Sequence, residues 1–458
     1  MTSHLRGAIA ALLLSGLLAG VPAAPARAND APAIGSPSVL QDGLTAVVRK
    51  ATGSGAVALE IWIRCPSDGW SASQPGIARV AAFATVAAGG DASLRQSVRS
   101  AGGQLSVSVF QSATEIAVLA PVSAAAPLEA ALLRRAFHPV IDAAALDDAK
   151  TRLAEQQAAA AQSSDALLRD GVFSSLFASG PLHDSTFGSP QTLQGLTLDD
   201  VRKFAEAAYV PPSAITVVLG NIDVSGMMTI VKSAAPPAGA TAAAAPASQN
   251  AVTPAGPVAL EPGQAEAPGV ALAWVGPPIS DQRAATAMDF LSDYLADAHT
   301  GVLAGAAGSA VAGSSFGGQF ITLANPGIFF VSVSGGGVDP ATMARTLQSA
   351  LRPVLDGPLS QSTFAQALAA YESRLLRQMD SPQGLADNYG WYFAEGALPY
   401  APSATDASLG GPYFENAASL TPSFVHDVAR RYLGVAPFTI VVTPNHTAVS
   451  DATGGTTQ

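Results

Sequence analysis

Two stretches of the chain share one pattern, LTLDDVRKFAEAAYVPPSAITVVLG at Leu196–Gly220 and LTPSFVHDVARRYLGVAPFTIVVT at Leu420–Thr443. Each begins with Leu-Thr and continues through an amphipathic helical pattern to a tyrosine, Tyr209 or Tyr432. An apolar run that is typical of a strand then follows at the same distance in both. Self-similarity at a long period indicates a duplicated structural unit. The chain is therefore predicted to contain two related halves.

The helix in each copy has a recognisable beginning. Thr197 is a candidate N-cap, and Asp199 and Asp200 lie in the first turn, where carboxylates interact favourably with the helix dipole. In the second copy Thr421 and Pro422 stand at N-cap and N1, an arrangement that helix starts favour. Apolar residues recur at i, i+3, i+4 and i+7, which predicts one buried face in the first copy, formed by Val201, Phe204, Ala205 and Ala208.

The rest of each half contains strands grouped with runs of helix. In the first half the predicted strands are 43–49, 57–64, 104–109, 115–122 and 215–219, and the predicted helices are 76–88, 127–137, 144–161 and 164–178. In the second half the predicted strands are 270–275, 327–334 and 438–442, and the predicted helices are 284–298, 340–355 and 362–379. This order predicts an α+β fold of two homologous halves, each an antiparallel-rich sheet with helices packed on one face.

The halves are separated by a low-complexity segment rich in Ala and Pro. Residues 233–264 have neither a helical nor a strand period, so they are predicted to be a partly extended linker. The predicted domains are residues 36–232 and 265–447, followed by a flexible tail at 448–458. A mature chain of about 430 residues exceeds what one hydrophobic core normally organises, which agrees with two domains.

The N-terminus has the features of a secretory signal peptide. Arg6 provides a positive n-region, Ala8–Val21 is a short apolar stretch, and Ala26-Arg27-Ala28 is a small-residue cleavage site. We therefore predict cleavage near Ala28 and export, to the periplasm if the Ala, Gly and Pro abundance reflects a high-GC bacterial source. No later segment reaches the roughly 18–20 apolar residues that a membrane span needs.

Charge and cysteine content exclude several functional classes. The formal net charge is −11, and loss of the two signal-peptide arginines would make it −13. An acidic chain without clustered Lys and Arg is a poor candidate for nucleic-acid binding. Cys65 is the only cysteine, so neither an internal disulfide nor a cysteine metal cluster can form, and we expect a small buried hydrophobe there.

The order of these elements resembles the insulinase/pitrilysin-type metallopeptidases (inverzincins) and the related mitochondrial processing peptidases. Asp42–Val48 is similar to the family's opening strand and Ala58–Arg64 to its second strand. Gly76-Ile77-Ala78 stands where the family has G-x-A-H, and Leu196–Gly220 is similar to its closing helix and strand. The resemblance extends over nearly the whole mature chain and implies the same two-half fold.

The catalytic motif of the family is missing. Active relatives have H-x-x-E-H on a helix, in which two histidines bind Zn²⁺ and the glutamate activates water. The same positions here form the sequence RVAAF, with Arg79 and Phe83 in place of the histidines and Ala82 in place of the glutamate. Arginine remains protonated and cannot act as a ligand at ordinary pH. The resemblance therefore implies a degenerate site without catalytic residues.

Other candidate ligands do not restore a zinc site. Glu155 occupies a place comparable to the family's third ligand, and we interpret it as a solvated carboxylate of a helix face. A catalytic zinc normally has three protein ligands. None of the six histidines is paired with another at i, i+4. We therefore predict no metal cofactor in this chain and expect zinc only in a partner subunit.

Some dimers of the family place an Arg/Tyr pair for substrate in the second half, and this pair is also missing. Gly308 and Ser315 align with those two positions, and no arginine lies between Arg283 and Arg345. The segment between Arg283 and Arg345 also contains Gly313–Gly317, whose sequence GSSFG fits the pattern G-x-S-x-G. A nucleophile elbow needs a strand before the serine and a helix after it. We interpret the stretch as a glycine- and serine-rich loop in which the motif arose by chance.

Three functions follow from this reading. The first is an exported, non-catalytic insulinase-type homologue that pairs with a zinc-bearing subunit to form a peptide-processing chamber. The second is a stand-alone periplasmic module that binds peptides or proteins, for example through exposed strand edges, or that self-associates. The third, a working metallopeptidase, requires ligands that the sequence does not provide.

Overall fold

The computed structural model describes residues 37–444, except for 52–54, 67–68, 71–72, 235–249, 255, 261–264, 298–299, 307–310, 312 and 399–411. The predicted signal peptide at 1–28 and the predicted tail at 448–458 lie outside the described residues, as does Gly308. None of the described helices combines the length and the apolar character that crossing a bilayer requires.

A six-stranded sheet organises the first half. Its strands are β1 (Ser38–Val39), β2 (Thr45–Lys50), β3 (Ala56–Arg64), β4 (Gln104–Val109), β5 (Ala113–Pro121) and β6 (Ala214–Gly220). They lie side by side in the order β1-β2-β6-β3-β5-β4. The β2–β6 pair is parallel and the other pairs are antiparallel. The long β3 is central and almost completely buried, as its apolar run predicts.

A five-stranded sheet organises the second half. Its strands are β7 (Pro257–Ala259), β8 (Gly269–Gly276), β9 (Ser314–Ile321), β10 (Gly327–Gly335) and β11 (Phe438–Val442), in the order β7-β11-β8-β10-β9. The β7–β11 pair is parallel, like β2–β6, and the other pairs are antiparallel. Strands β2 to β6 therefore have one counterpart each in the second sheet, with the same neighbours and the same directions.

The helices follow the same duplicated order. In the first half they are α1 (Ile77–Ala87), α2 (Leu94–Ser100), α3 (Ala125–Phe137), α4 (Ala143–Gln162), α5 (Ser164–Leu176), α6 (Pro190–Gly195), α7 (Leu198–Ala208) and α8 (Val224–Ala234). In the second half they are α9 (Gln282–Ala296), α10 (Val302–Ala306), α11 (Pro340–Leu355), α12 (Gln361–Asp380), α13 (Pro382–Ala394), α14 (Pro412–Ala418) and α15 (Pro422–Leu433). Short 3₁₀ turns occur at Gly90–Ala92, Val122–Ala124 and Pro211–Ser213.

The predicted helix caps are present. The Thr197 hydroxyl accepts a hydrogen bond from the Asp200 N–H, and the Asp200 carboxylate accepts one from the Thr197 N–H, which forms a capping box. The Thr421 hydroxyl caps α15 by accepting a hydrogen bond from the Phe424 N–H, and Pro422 stands at the first position of the helix. Cys65 is buried, as expected for a small apolar residue.

One helix of each half packs on the sheet of the other half. A 20-residue helix, a serine cap and a 13-residue helix occur in both halves, as α4–Ser163–α5 and α12–Ser381–α13. Helix α5 packs on the second sheet through Leu168, Val172 and Phe173, and α13 packs on the first sheet. The remaining helices of each half cover the opposite face of its own sheet. The prediction of helices on one face is confirmed for each half's own helices, and the exchanged helix covers the other face.

Two segments differ from their predicted structure. Residues 314–321, predicted as part of a loop, form β9, which pairs with β10 along its whole length. Pro257–Ala259, inside the predicted linker, form β7 and pair with β11. Neither segment has a clear strand pattern, so pairing with a neighbouring strand determines both structures. The second sheet therefore begins inside the segment that was predicted to separate the halves.

Candidate functional site

Helix α1 holds the degenerate zinc-motif positions and is embedded in the first half. It begins after Gly76, whose φ of 91° is a conformation that side chains rarely adopt. A Cβ at Gly76 would stand 2.8 Å from the Phe187 carbonyl oxygen. Nine of the eleven residues of α1 are buried, so the helix is a core element with little surface.

Arg79 joins α1 to two other segments. Its Nη2 donates to the Val109 carbonyl of β4 and to the Thr186 hydroxyl, each at 3.0 Å. Its guanidinium lies 4.0 Å from the centre of the Phe187 ring, a cation–π contact. Burial lowers the pKa of Arg79 to about 10, although the charge of Asp170 acts in the opposite direction. The group remains a cation at neutral pH and serves as a tether.

The other two motif positions are packing residues. Ala82 is completely buried and contacts Ala78 and Val109. Phe83 is 8% exposed and belongs to the main core of the first half. Glu155 lies on α4, which packs against α1, and its side chain is exposed to solvent. Positions 79, 82 and 83 therefore offer no ligand atom, because a protonated guanidinium and two hydrocarbon side chains cannot coordinate zinc.

Beside α1 lies an apolar cleft of about 780 Å³ between α4, α5 and residues 185–194. Phe187 contributes to its wall and also contacts Arg79. Gln157 donates to the Phe187 carbonyl at 2.8 Å, and Lys150 donates to the Leu196 carbonyl at 2.6 Å, which fixes the loop against α4. The remaining lining is mostly apolar and includes Ala154, Ala158, Ala161, Leu167, Pro190 and Leu193.

A smaller basic pocket of about 300 Å³ has Phe83 in its wall. Arg95, Arg99 and Arg152 line it. Arg95 and Arg152 share one carboxylate, Asp148, at 2.7 and 3.1 Å. The carboxylate neutralises only part of this charge, so the pocket has a local positive charge in an acidic chain.

Two of the three histidines in the described residues contact backbone carbonyls. The Nδ1 of His183 lies 2.7 Å from the Phe177 carbonyl, and the Nδ1 of His426 lies 2.9 Å from the Val354 carbonyl. His138 is exposed at the end of α3. The His426 contact joins α15 to α11, and the three histidines lie in separate parts of the chain.

Ser315 lies near the beginning of β9, with an exposed side chain. It pairs with Ser334 of β10, so the Gly313–Gly317 motif runs into a strand. A nucleophile elbow would place the serine at a turn from a strand into a helix. This geometry agrees with the interpretation of the motif as a chance occurrence.

Sequence reasoning missed the cleft and a set of acidic side chains. The cleft depends on how α4 and α5 diverge, which no local pattern encodes. The acidic set comprises Glu60, Glu115 and Asp387, whose carboxyl oxygens lie within 4.8 Å of one another. One signal was available, because Glu60 interrupts the apolar strand VALEIWIR. A charged residue is almost never fully buried without a partner.

Comparisons with known proteins agree with this geometry. Residues 195–371 match the model of the peptidase M16 inactive domain. The structure is similar to that of a protease from Helicobacter pylori, with a TM-score of 0.78 and 16% identity over 89% of this chain and 99% of that chain. The chain has the M16 peptidase fold. The predicted resemblance to the insulinase-type peptidases is thereby confirmed at the level of the fold.

Two further solved structures are similar to this chain. A peptidase M16 inactive domain from Pseudomonas fluorescens has a TM-score of 0.71 and 16% identity, over 90% of this chain and 98% of that chain. A chain of Complex III2 from Candida albicans, solved with Inz-5 bound, has a TM-score of 0.71 and 12% identity, over 89% and 95%. No curated protein sequence matches the chain.

Proposed function

We propose that the mature protein is an exported, non-catalytic M16-type subunit that holds extended peptides and pairs with a zinc-bearing relative. One observation supports it above all. The three motif positions of α1 are occupied by a tethered arginine and two packed hydrocarbon side chains, in a helix that is almost completely buried. Hydrolysis within such a pair would depend on the partner's zinc.

The cleft beside α1 supports the peptide-holding part of the proposal. Its volume of about 780 Å³ lies in the range of binding pockets, and its mostly apolar lining includes a few polar groups. Lys150 and Asp170 are among those polar groups and could orient a peptide backbone or its termini. The cleft adjoins Phe187, so a bound peptide would pass next to the former catalytic helix.

Two further observations support pairing. The matched family model describes an inactive domain, and one similar chain is part of a multisubunit assembly, Complex III2. The proposed export depends on the signal-like N-terminus. A zinc-bearing subunit in the same compartment would complete the peptide-processing chamber.

The test is affinity purification of the tagged protein from its own organism, followed by native mass spectrometry. We expect a stoichiometric partner that contains H-x-x-E-H, and peptide cleavage that is lost when zinc is removed from the complex. The tag expressed alone is the control. A monomer or homodimer that contains no zinc would overturn the pairing role. Cleavage by the isolated chain would overturn the non-catalytic assignment.

A stand-alone peptide-binding module is the second candidate. The specific observation in its favour is that α4, α5 and residues 185–194 form the cleft within one chain, so no partner is needed to build it. Binding of unstructured peptides by the isolated chain, together with failure to recover a partner, would support this function over the first.

A further inference from the structure

Three carboxyl groups meet where the exchanged helix α13 crosses the first sheet. Glu60 lies on β3, Glu115 on the adjacent β5, and Asp387 on α13. Oxygen atoms of the three lie within 4.8 Å of one another. Glu60 is 0% exposed and Glu115 is 6% exposed, whereas Asp387 is half-buried. The two glutamates are therefore closed off from solvent, and Asp387 is the most exposed member of the group.

The surroundings of the group offer hydrogen bonds but no positive charge. Trp62 Nε1 donates to Oε2 of Glu60 at 2.9 Å, and the Ser108 hydroxyl donates to Glu115. No ion pair joins any of the three carboxyls to a basic side chain in the part of the chain that the structure describes. Burial, and then the repulsion from Asp387, raises the pKa of both glutamates.

A second observation points to a missing ligand. The other oxygen of Glu60, Oε1, is buried and accepts no hydrogen bond from the described residues. Asp387 is hydrogen-bonded to both glutamates, but no donor outside the three carboxyl groups reaches this oxygen in the described residues. A buried carboxylate oxygen without such a donor is costly. The Trp62 and Ser108 donors hold the outer sides of the two glutamates, as second-shell groups do for metal ligands.

We propose that Glu60, Glu115 and Asp387 bind one hard divalent cation of the size of Ca²⁺. Carboxylate oxygens are the ligands that hard cations prefer, and Ca²⁺–oxygen distances of about 2.3–2.6 Å separate opposite ligands by about 4.6–5.2 Å. The three carboxyl groups each have an oxygen within 4.8 Å of the others, close enough for one cation to contact all three. Mg²⁺ gives up its water reluctantly and usually keeps several water ligands, so a buried group of carboxylates favours Ca²⁺ over Mg²⁺.

The position of the site gives the cation a structural role. Glu60 and Glu115 belong to the first half, and Asp387 belongs to a helix of the second half. Around them Trp62 stacks on Phe110 at 5.6 Å and meets Trp391 edge-on at 6.3 Å, which limits the entry of water. A bound divalent cation would offset two of the three carboxylate charges and fasten α13 to the first sheet. This inference is independent of the proposed function.

The experiment uses the full mature chain after treatment with a chelator. Ca²⁺, Mn²⁺ and Mg²⁺ are added singly at pH 7.5, with the melting temperature and the stoichiometry by native mass spectrometry as readouts. We expect Ca²⁺ to raise Tm by several degrees and one ion to bind per chain. Asp387→Asn should weaken Ca²⁺ binding at least tenfold, whereas Glu206→Gln, an exposed carboxylate on α7, should not change it.

A second variant separates a metal site from a merely acidic core. In chelator, Glu60→Gln should melt above the unsubstituted protein, because one repelling charge is gone, and Ca²⁺ should no longer stabilise it. Two results would overturn the proposal. One is a Tm that no cation raises, which means that protons neutralise the group. The other is equal stabilisation of Asp387→Asn and the unsubstituted protein, which means that the cation binds elsewhere.

Discussion

Arg79 shows how a ligand position can become a structural one. A zinc ligand must present a lone pair to an open coordination sphere, whereas Arg79 donates both of its observed hydrogen bonds, to Val109 and Thr186. The cationic side chain is stabilised by a carbonyl, a hydroxyl and the face of Phe187. Position 79 therefore contributes to the stability of the fold around α1.

Replacing Arg79 should measure that contribution. Arg79→Met keeps the length of the side chain but removes both hydrogen bonds and leaves the Val109 carbonyl without this donor. We expect a loss of about 2 kcal/mol in the free energy of unfolding. Arg99→Met, at an exposed arginine of α2, is the control and should change it by less than about 0.5 kcal/mol. Urea denaturation provides the comparison, and equal effects of the two substitutions would contradict the tether.

Glu129 should make stability depend on pH. It is fully buried on α3 and accepts one hydrogen bond, from the Thr216 hydroxyl at 2.8 Å. Burial raises its pKa from 4.5 to about 7, with the Thr216 hydrogen bond acting in the opposite direction. Because the folded-state pKa lies above the unfolded one, protonation stabilises the fold. This contribution is complete below about pH 4.5 and is lost as the pH rises through 7.

Glu129→Gln should remove the contribution of Glu129 to the pH dependence, because the amide stays neutral at every pH. Above pH 8 the variant should be more stable than the unsubstituted protein, by up to about 3 kcal/mol. Glu206→Gln, at an exposed site, should leave the profile unchanged. The measurement is the free energy of unfolding between pH 5 and 9, and an unaltered slope in Glu129→Gln would exclude Glu129 as its cause.

At the scale of elements, the close packing of the exchanged helices explains the presence of one glycine in each of them. A Cβ at Gly390 of α13 would lie 2.2 Å from the Trp62 ring. A Cβ at Gly171 of α5 would lie 2.9 Å from the Ile440 side chain and 2.8 Å from that of Leu260. In both halves the borrowed helix approaches the sheet so closely that only glycine fits.

Gly390→Ala should therefore destabilise the protein although alanine is the better helix former. We expect a loss of about 1–3 kcal/mol, because the large Trp62 ring must move in a packed core. Gly195→Ala is the matched control at the end of α6, where nothing lies within 4 Å of the added Cβ. Thermal unfolding compares the two, and a neutral or stabilising Gly390→Ala would show that α13 is loosely packed.

The elements that the sequence predicted are those with local signals. Helix α11 and strands β4 and β11 have the predicted bounds, because caps, β-branched runs and apolar periods determine them locally. β9 was missed because SSFGGQFI contains little β-branched character and depends on β10. α13 was missed despite Ser381 at its N-cap. Its buried residues do not follow a simple one-faced helical period, because Gly390 stands where the helix packs against Trp62.

The candidate site was predictable only in part. Arg79, Ala82 and Phe83 could be identified from spacing, because the family motif is continuous in sequence. Glu60 and Asp387 are separated by more than three hundred residues, and only the exchange of α13 brings them together. The apolar cleft depends likewise on the tertiary placement of two helices and a loop. Local patterns contain no information about such distances.

At the scale of the whole molecule, the cleft provides a test of peptide binding. Ala158 is exposed and lines the cleft, so Ala158→Trp should fill part of it and weaken the binding of unstructured peptides about tenfold. Ala159→Trp places the same bulk at the next exposed position of α4, which does not line the cleft. Calorimetric titration of both variants with the same peptide measures the two affinities. Equal affinities would show that the peptide binds outside the cleft.

The exchange of α5 and α13 also determines whether the two halves need a covalent connection to stay together. Among the described residues, a helix from the other half covers much of one apolar face of each sheet. A backbone cut between residues 235 and 249 would remove the covalent connection and leave this mutual cover in place, so the two pieces should remain together as one particle. Either piece made alone would expose an uncovered sheet face and should aggregate. The packing of the exchanged helices, and not the peptide linkage alone, should therefore hold the halves together. Two polypeptides encoded separately and divided at this point should assemble into one particle.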